Sequence, residues 1–240
     1  MKIIAHRGGA GLGPENTLSC IEKGLGCKHT SMIEIDVHLT KDGQVVVMHD
    51  PDVDRMTNGS GKIEDMTLAE LKALRIAEAG AAGSEVTAES RVADAERIPT
   101  LEEVLQLIGN RAEVLLEIKR PDDRDDGLEK ACLDIIKAAG AYGRVTVQSF
   151  NDIVLDRFHK LDPAIRLEKL LFVRPFNLRK IAQQKHIRSY NIYRRGLVTP
   201  RFVSRMHALG KEVKVWTLQS PEQYHARNLD GIITDRPDLF

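Results

Sequence analysis

Eight short apolar runs punctuate this chain: KIIAHRG, MIEIDV, AEVLLEIK, VTVQSF, IRLEKLLF, SYNIYR, EVKVWTL and GIITD. Between them lie NTLSCIEKGL, TLAELKAL, TLEEVLQLI, GLEKACLDIIKAAG, NDIVLDRFHKL, helices near NLRKIAQQ and TPRFVSRMHALG, and PEQYHARNL. Strands that alternate with helical periods give a parallel sheet joined by right-handed crossovers. Eight such strands are enough to close a barrel, so the expected fold is a TIM-type (β/α)8 barrel. A length of 240 residues admits one barrel or two smaller domains. The unbroken alternation favours a single domain over residues 1–240.

A ninth run, QVVVMHD, follows MIEIDV after only a T-K-D-G turn. A parallel crossover needs a dozen or more residues, and Asp-Gly signals a hairpin, so this run is expected to fold back antiparallel. A turn near Lys41 to Gly43 returns His49 beside Ile35 and Asp36. The segment 76–97, rich in Ala, Gly and charge, is expected as a mobile loop or a weak helix over one barrel face. Hairpin and loop together make an insertion over about residues 38–97.

Lys plus Arg equals Asp plus Glu, 35 each, so no net field draws the chain to nucleic acid or anionic lipid, and an anionic substrate must meet local charges. No run approaches the ~20 apolar residues of a membrane span, and the N-terminus lacks the apolar core of a secretory signal. Cys20, Cys27 and Cys132 are an odd count without C-x-x-C spacing, which argues against a disulfide framework or zinc ribbon and for a reducing cytoplasm. The oligomeric state is left open, a homo-oligomer included.

In such a barrel, polar residues at the C-terminal strand ends form the active site. Those ends carry His6 and Arg7; Glu34 and Asp36; Glu117 and Lys119; Gln148, Ser149 and Phe150; Tyr193 and Arg194; Trp216 and Thr217; and Thr234 and Asp235. The hairpin adds His49 and Asp50. Glu34 and Asp36 share one strand face, roughly 7 Å apart. They could be a solvated outer face, but Glu117 in matching register on another strand argues for a cluster. Three carboxylates without cysteine suit a hard cation, Mg²⁺ or Ca²⁺. Arg7 and Lys119 bring the positive charge that a phosphodiester requires. His6 and His49 supply one general base and one general acid.

Blander readings stand beside these. His6 alone would read as a core histidine, Lys119 could be a structural partner of Glu117, and Asp50 either orients His49 or caps the turn. His38 shares parity with Asp36 but falls beyond the barrel rim. GGAGLG lacks both the GxGxxG spacing and the following Lys of nucleotide loops. In PENT, Asn16 or Thr17 is a good helix N-cap. RKIAQQKHIR reads as a solvated helix face without the aromatics of a nucleic-acid site.

The motifs HRG…PENT, EIDVHLTKDG, VVVMHD, IPTLEEVL, EIK, QSF, WT and GIITDRP, in that order from about Ile3 to Pro237, resemble the glycerophosphodiester phosphodiesterase family. The resemblance implies metal-dependent hydrolysis of a glycerophosphodiester to sn-glycerol 3-phosphate and an alcohol, within lipid and glycerol metabolism. It implies Glu34, Asp36 and Glu117 as metal ligands, His6 and His49 as the acid/base pair, and Arg7 and Lys119 as phosphate-binding groups. Glu15 is implied at the pocket mouth and Trp216 as an aromatic wall against glycerol. The segment LLFVRPFNLRKIAQQKHIRSYNIYRRGL matches the family only weakly, which leaves the alcohol side of the pocket unassigned. Rival readings are a lysophospholipase D-like or phosphoinositide phosphodiesterase, and a barrel that binds phosphodiesters without cleaving them. The first rival needs an apolar lip, against which stand a 5% aromatic content and the lack of an amphipathic anchor.

Overall fold

Hydroxyl and amide side chains mark where the helices begin. Thr17, Thr67, Thr100, Asn151, Asn177 and Thr199 each accept a hydrogen bond from a backbone N–H in the first turn that follows. Thr67 with Glu70, and Thr100 with Glu103, form reciprocal capping boxes. These caps satisfy donors that a helix start would otherwise leave open.

The computed structural model describes residues 1–76, 96–120, 122–175, 177–194, 198–223 and 228–240. In chain order the elements are β1 (Lys2–Ala5), α1 (Leu18–Gly26), β2 (Thr30–Leu39), β3 (Val45–Val47), α2 (Leu68–Ala73), α3 (Leu101–Ile108), β4 (Glu113–Ile118), α4 (Leu128–Ala138), β5 (Val145–Ser149), α5 (Asp152–Leu161), β6 (Arg166–Leu171), α6 (Leu178–Gln183), β7 (Ile187–Tyr193), α7 (Pro200–Ala208), β8 (Glu212–Trp216) and β9 (Gly231–Thr234). Eight strands run parallel and close on themselves in the order β1, β2, β4, β5, β6, β7, β8, β9, with β9 returning to β1. This is the expected (β/α)8 barrel. Over PEQYHARNL, the described part is one 3-10 turn at Pro221–Gln223, and residues 224–227 lie outside the described residues.

β3 folds back antiparallel on β2, pairing Val37 with Val47 and Leu39 with Val45, as the Asp-Gly turn predicts. Gly43 takes φ 76° in that turn, a conformation glycine adopts without steric cost. The hairpin and the chain after it have a small core of their own, in which Val46, Met48, Val53, Met56, Ile63, Leu71, Ile76 and Ile98 pack together. The expected loop or weak helix at 76–97 falls largely on residues 77–95, outside the described residues.

The main core lies between barrel and helices, where Ile33, Ile35, Val37, Val114, Leu116, Val147 and Leu167 meet Leu101, Val104, Leu133, Leu155 and Phe158. The other face of β2 is buried too: Glu34 is 1% and Asp36 0% exposed, so it is not a solvated acidic face. Inside the barrel Ile4, Met32, Leu115 and Ile233 form an apolar plug against which Trp216 packs. Beside it runs a buried polar chain. Lys214 pairs with Glu168, Asn191 donates to both Glu168 and Gln148 (each 2.8 Å), and Gln148 donates to Glu34 at 3.2 Å. Interior charges are therefore placed as partnered groups, as a low-dielectric core requires.

Candidate active site

Where β1 ends, His6–Gly8 form a 3-10 turn with Arg7 in the left-handed region at φ 51°, ψ 38°. That backbone is sparsely populated for a residue with a Cβ. It turns the Arg7 N–H onto Glu34 Oε2 at 2.8 Å. α1 abuts this turn so closely that a Cβ on Gly24 would lie 2.2 Å from the Gly8 carbonyl oxygen. A Cβ on Gly8 would in turn lie 2.8 Å from the Ile21 side chain of α1, so this glycine of HRGGAGLG serves helix packing.

Asn16, also left-handed at φ 60°, donates from Nδ2 to Asp36 Oδ2 at 2.8 Å and accepts the Asp36 N–H on Oδ1 at 3.3 Å. Of the two cap candidates in PENT, Thr17 takes the cap and Asn16 clamps Asp36.

β2 and β4 pair with Asp36 opposite Glu117. With Glu34, these carboxylates offer oxygens that all lie within 4.8 Å of one another, and Glu117 is 6% exposed. Lys119 Nζ stands 3.1 Å from Asp36 and 2.7 Å from Glu117, and Arg7 Nε 3.8 Å from Asp36. Burial, then Asp36 and Glu117, push the Glu34 carboxyl well above the ordinary range. Burial and Asp36 raise Glu117 to about 7. Asp36 goes the other way, because Lys119, His49 and Arg7 together outweigh its burial. Two protein cations thus fail to hold all three acids ionised. A buried, all-oxygen donor set that still needs positive charge fits a hard divalent ion.

That mismatch has a pH signature. A carboxyl whose folded pKa is raised stabilises the fold fully below its unfolded value and loses that contribution as pH rises through the folded value. For Glu117 the window runs from 4.5 to about 7, and the loss is on the order of 3 kcal/mol. His38, His49 and His186, lowered by burial, act oppositely as pH falls below 6.5. The readout is therefore the difference in Tm between cation-saturated and EDTA-treated protein. We expect it to widen from about pH 5 to 8; a constant or zero gap contradicts it.

Each histidine has its own carboxylate. His6 Nδ1 lies 2.5 Å from Asp235 Oδ1 at the end of β9, and His49 Nδ1 lies 2.7 Å from Asp50 Oδ1. A carboxylate on Nδ1 fixes ring and tautomer and leaves Nε2 for a reacting group. Asp50 therefore orients His49, while Arg55 links Asp50 to Glu15, each contact at 2.5 Å. His38 Nε2 donates to the His49 carbonyl oxygen at 3.2 Å and anchors the hairpin end. Glu15 also accepts from Arg7 at 3.0 Å, so it braces Arg7 from behind. Sequence reasoning missed the contributions of Asn16, Arg55 and His38, and it named Asp235 and Gln148 at strand ends without giving them work.

These groups open on a cavity of about 230 Å³. One half of its mouth presents His6, Arg7, Glu34, His49, Glu117 and Lys119, and the other Phe150, Leu170, Phe172, Trp216 and Thr217. Phe150 stacks on Phe172 with centroids 4.8 Å apart, and Trp216 meets Phe150, Phe172 and Tyr193 at 5.7, 5.6 and 5.1 Å. A chain poor in aromatic residues thus gathers four of them at one site, forming the apolar lip that its composition argued against.

Acid triad, paired imidazoles and flanking cations on barrel strand ends define a phosphodiesterase-type barrel enzyme. The family model for the glycerophosphoryl diester phosphodiesterase family matches residues 6–239. A glycerophosphodiester phosphodiesterase of Caldanaerobacter subterraneus subsp. tengcongensis is 36% identical over 247 aligned residues, covering 99% of this chain and 95% of the relative. One of Bacillus altitudinis is likewise 36% identical, over 99% of this chain and 95% of its own length. Among solved structures, an Oleispira antarctica phosphodiesterase in complex with the product sn-glycerol-3-phosphate superposes with TM-score 0.81 at 26% identity, covering 99% of this chain and 94% of that one. The chain belongs to the glycerophosphoryl diester phosphodiesterase family. Among the described residues, no helix is long and apolar enough to cross a membrane.

Proposed function

We propose that this protein hydrolyses glycerophosphodiesters to sn-glycerol 3-phosphate and an alcohol, with Glu34, Asp36 and Glu117 holding Mg²⁺ or Ca²⁺ and His6 and His49 exchanging the protons. The observation that carries this reading is the convergence of two carboxylate-oriented imidazoles and a buried acid triad on one cavity. When bound, the cation supplies positive charge to a non-bridging phosphoryl oxygen as negative charge accumulates there.

The chain's own residues do the rest. Arg7, braced by Glu15, and Lys119 bind the phosphoryl oxygens and are in place before reaction, so no reorganisation is needed as charge develops. His6 takes a proton at Nε2 from the nucleophile, which is water or the substrate's own 2-hydroxyl; in the second case water then opens the resulting cyclic phosphate, with the proton roles of the two histidines reversed. The resulting imidazolium is stabilised by Asp235. His49, oriented by Asp50, gives its Nε2 proton to the departing alkoxide. Trp216 lies against the glycerol moiety and shields it from water. Three free cysteines support a reducing, cytoplasmic setting.

The aromatic half of the mouth favours a second reading, in which the glycerol moiety carries an acyl tail, as in a lysophospholipid, and the products are a lysophosphatidic acid and the headgroup alcohol. One experiment tests both: release of glycerol 3-phosphate from glycerophosphocholine, glycerophosphoethanolamine and glycerophosphoglycerol, and of lysophosphatidic acid from a lysophospholipid, each with Mg²⁺, Ca²⁺ or EDTA. Release from a glycerophosphodiester that stops with EDTA is the expected outcome. Turnover of the lysophospholipid alone selects the second reading, and no release from any substrate rejects both.

A further inference from the structure

The charge of this chain is balanced in total and lopsided in place. From Lys169 to Lys211 the sequence contains eleven Lys or Arg and no Asp or Glu. The segment spans the end of β6, α6, β7 and α7. In a (β/α)8 barrel each helix starts at the mouth end of the preceding strand, so first helical turns and strand ends share the active-site face. Arg179 and Lys180 in the first turn of α6, Arg194 after β7 and Arg201 in the first turn of α7 therefore all lie on that face, and all are exposed. Arg174 joins them, its guanidinium 5.9 Å from the Phe202 ring at the start of α7. Among the described residues, Arg179, Arg194 and Arg201 have no carboxylate partner, and Lys180 shares Asp152 with Lys169 at 3.7 Å.

The same face carries the apolar apex of the molecule. Phe172 is 63% and Val173 60% exposed, and Phe150 and Ile153 are exposed beside them at the β5 end and the α5 start. A small phosphodiester has no use for apolar groups this far out, nor for cations on the side of the mouth opposite Arg7 and Lys119. Basic residues around exposed apolar side chains match a surface that is anionic outside and apolar within. Salt screens charges beyond about 10 Å, so the local excess acts despite a net charge of zero. Nucleic acid fits less well, because its surface offers nothing apolar to Val173 and Ile153.

We propose that this face docks on an anionic lipid bilayer, with Phe172 and Val173 in the interfacial layer, Arg174, Arg179, Lys180, Arg194 and Arg201 over the lipid phosphates, and the active-site mouth turned toward the membrane. The docking is independent of which diester is cleaved, so it stands or falls separately from the reading of the reaction.

Co-sedimentation of the full chain tests it, using vesicles of phosphatidylcholine alone or with about one-third phosphatidylglycerol. At low salt the protein pellets with the anionic vesicles and stays in solution with the neutral ones, and about 0.5 M salt releases most of it. The double variant Arg179→Glu, Arg201→Glu weakens partitioning about tenfold or more. Val173→Asp weakens it about tenfold. None of these three residues lines the cavity, so both variants keep their turnover of a soluble glycerophosphodiester, which also verifies their folding. No pelleting at low salt, equal pelleting on neutral vesicles, variants that bind as the parent does, or tighter retention by single-stranded RNA than by anionic vesicles would each overturn the proposal.

Discussion

His49→Ala is expected to lower kcat about 10²-fold to 10⁴-fold with the barrel still folded. His49 sits at the far end of the hairpin and its ring lines the open cavity with 29% of the side chain exposed, so truncating it leaves no void in the core. What disappears is a proton donor already oriented by Asp50. His6→Ala should lose a similar factor, with a different cost to its surroundings. The Asp235 carboxylate would keep the hydrogen bond from Gln219, at 2.5 Å, and lose the imidazole that matches its charge. Because the two rings act on one transition state, the double variant should be little slower than the worse single variant. Pre-steady-state and steady-state rates with glycerophosphodiesters, alongside circular dichroism, measure this. Near-parental turnover by both single variants would remove the histidines from the mechanism.

Asp36→Asn carries the second large effect. The amide keeps nearly the shape of the carboxylate and can still accept from Asn16. Its charge is gone, however, from the centre of a cluster that includes Lys119, Arg7, Glu34 and Glu117. Calorimetric titration should show loss of divalent-cation binding, and kcat/KM should fall about 10²-fold to 10³-fold. The loss of cation binding shows in the absence of substrate and so separates a ligand role from a role in substrate positioning. A variant that binds the cation and turns over as the parent does would contradict the assignment.

The skeleton of this site was legible because it rests on short-range rules. Period-2 parity put Glu34 and Asp36 on one face, the Asp-Gly turn returned His49 to β2, and alternation of strand and helix closed the barrel. What escaped depends on contacts between distant residues or on unusual backbone. Asn16 sits where a cap belongs, and only its left-handed conformation sends it to Asp36, 20 residues on. Asp235 meets a residue 229 positions earlier. The chain from Lys214 through Glu168 and Asn191 to Gln148 spans separations of 46, 23 and 43 residues. Charged residues at inward-facing strand positions were the available signal. Composition misled in one respect, since a 5% aromatic fraction gives an amount and no location.

The pairing of β1 with β9 has a consequence for when the protein becomes reactive. His6 follows the first strand of the barrel and the carboxylate that aims it follows the last, so the two meet only when β9 pairs with β1. A half-folded chain holds both imidazoles and all three acids of the triad yet leaves His6 without its orienting carboxylate. On the proposed mechanism, hydrolytic competence therefore arrives with closure of the cylinder, and half-assembled forms lack it.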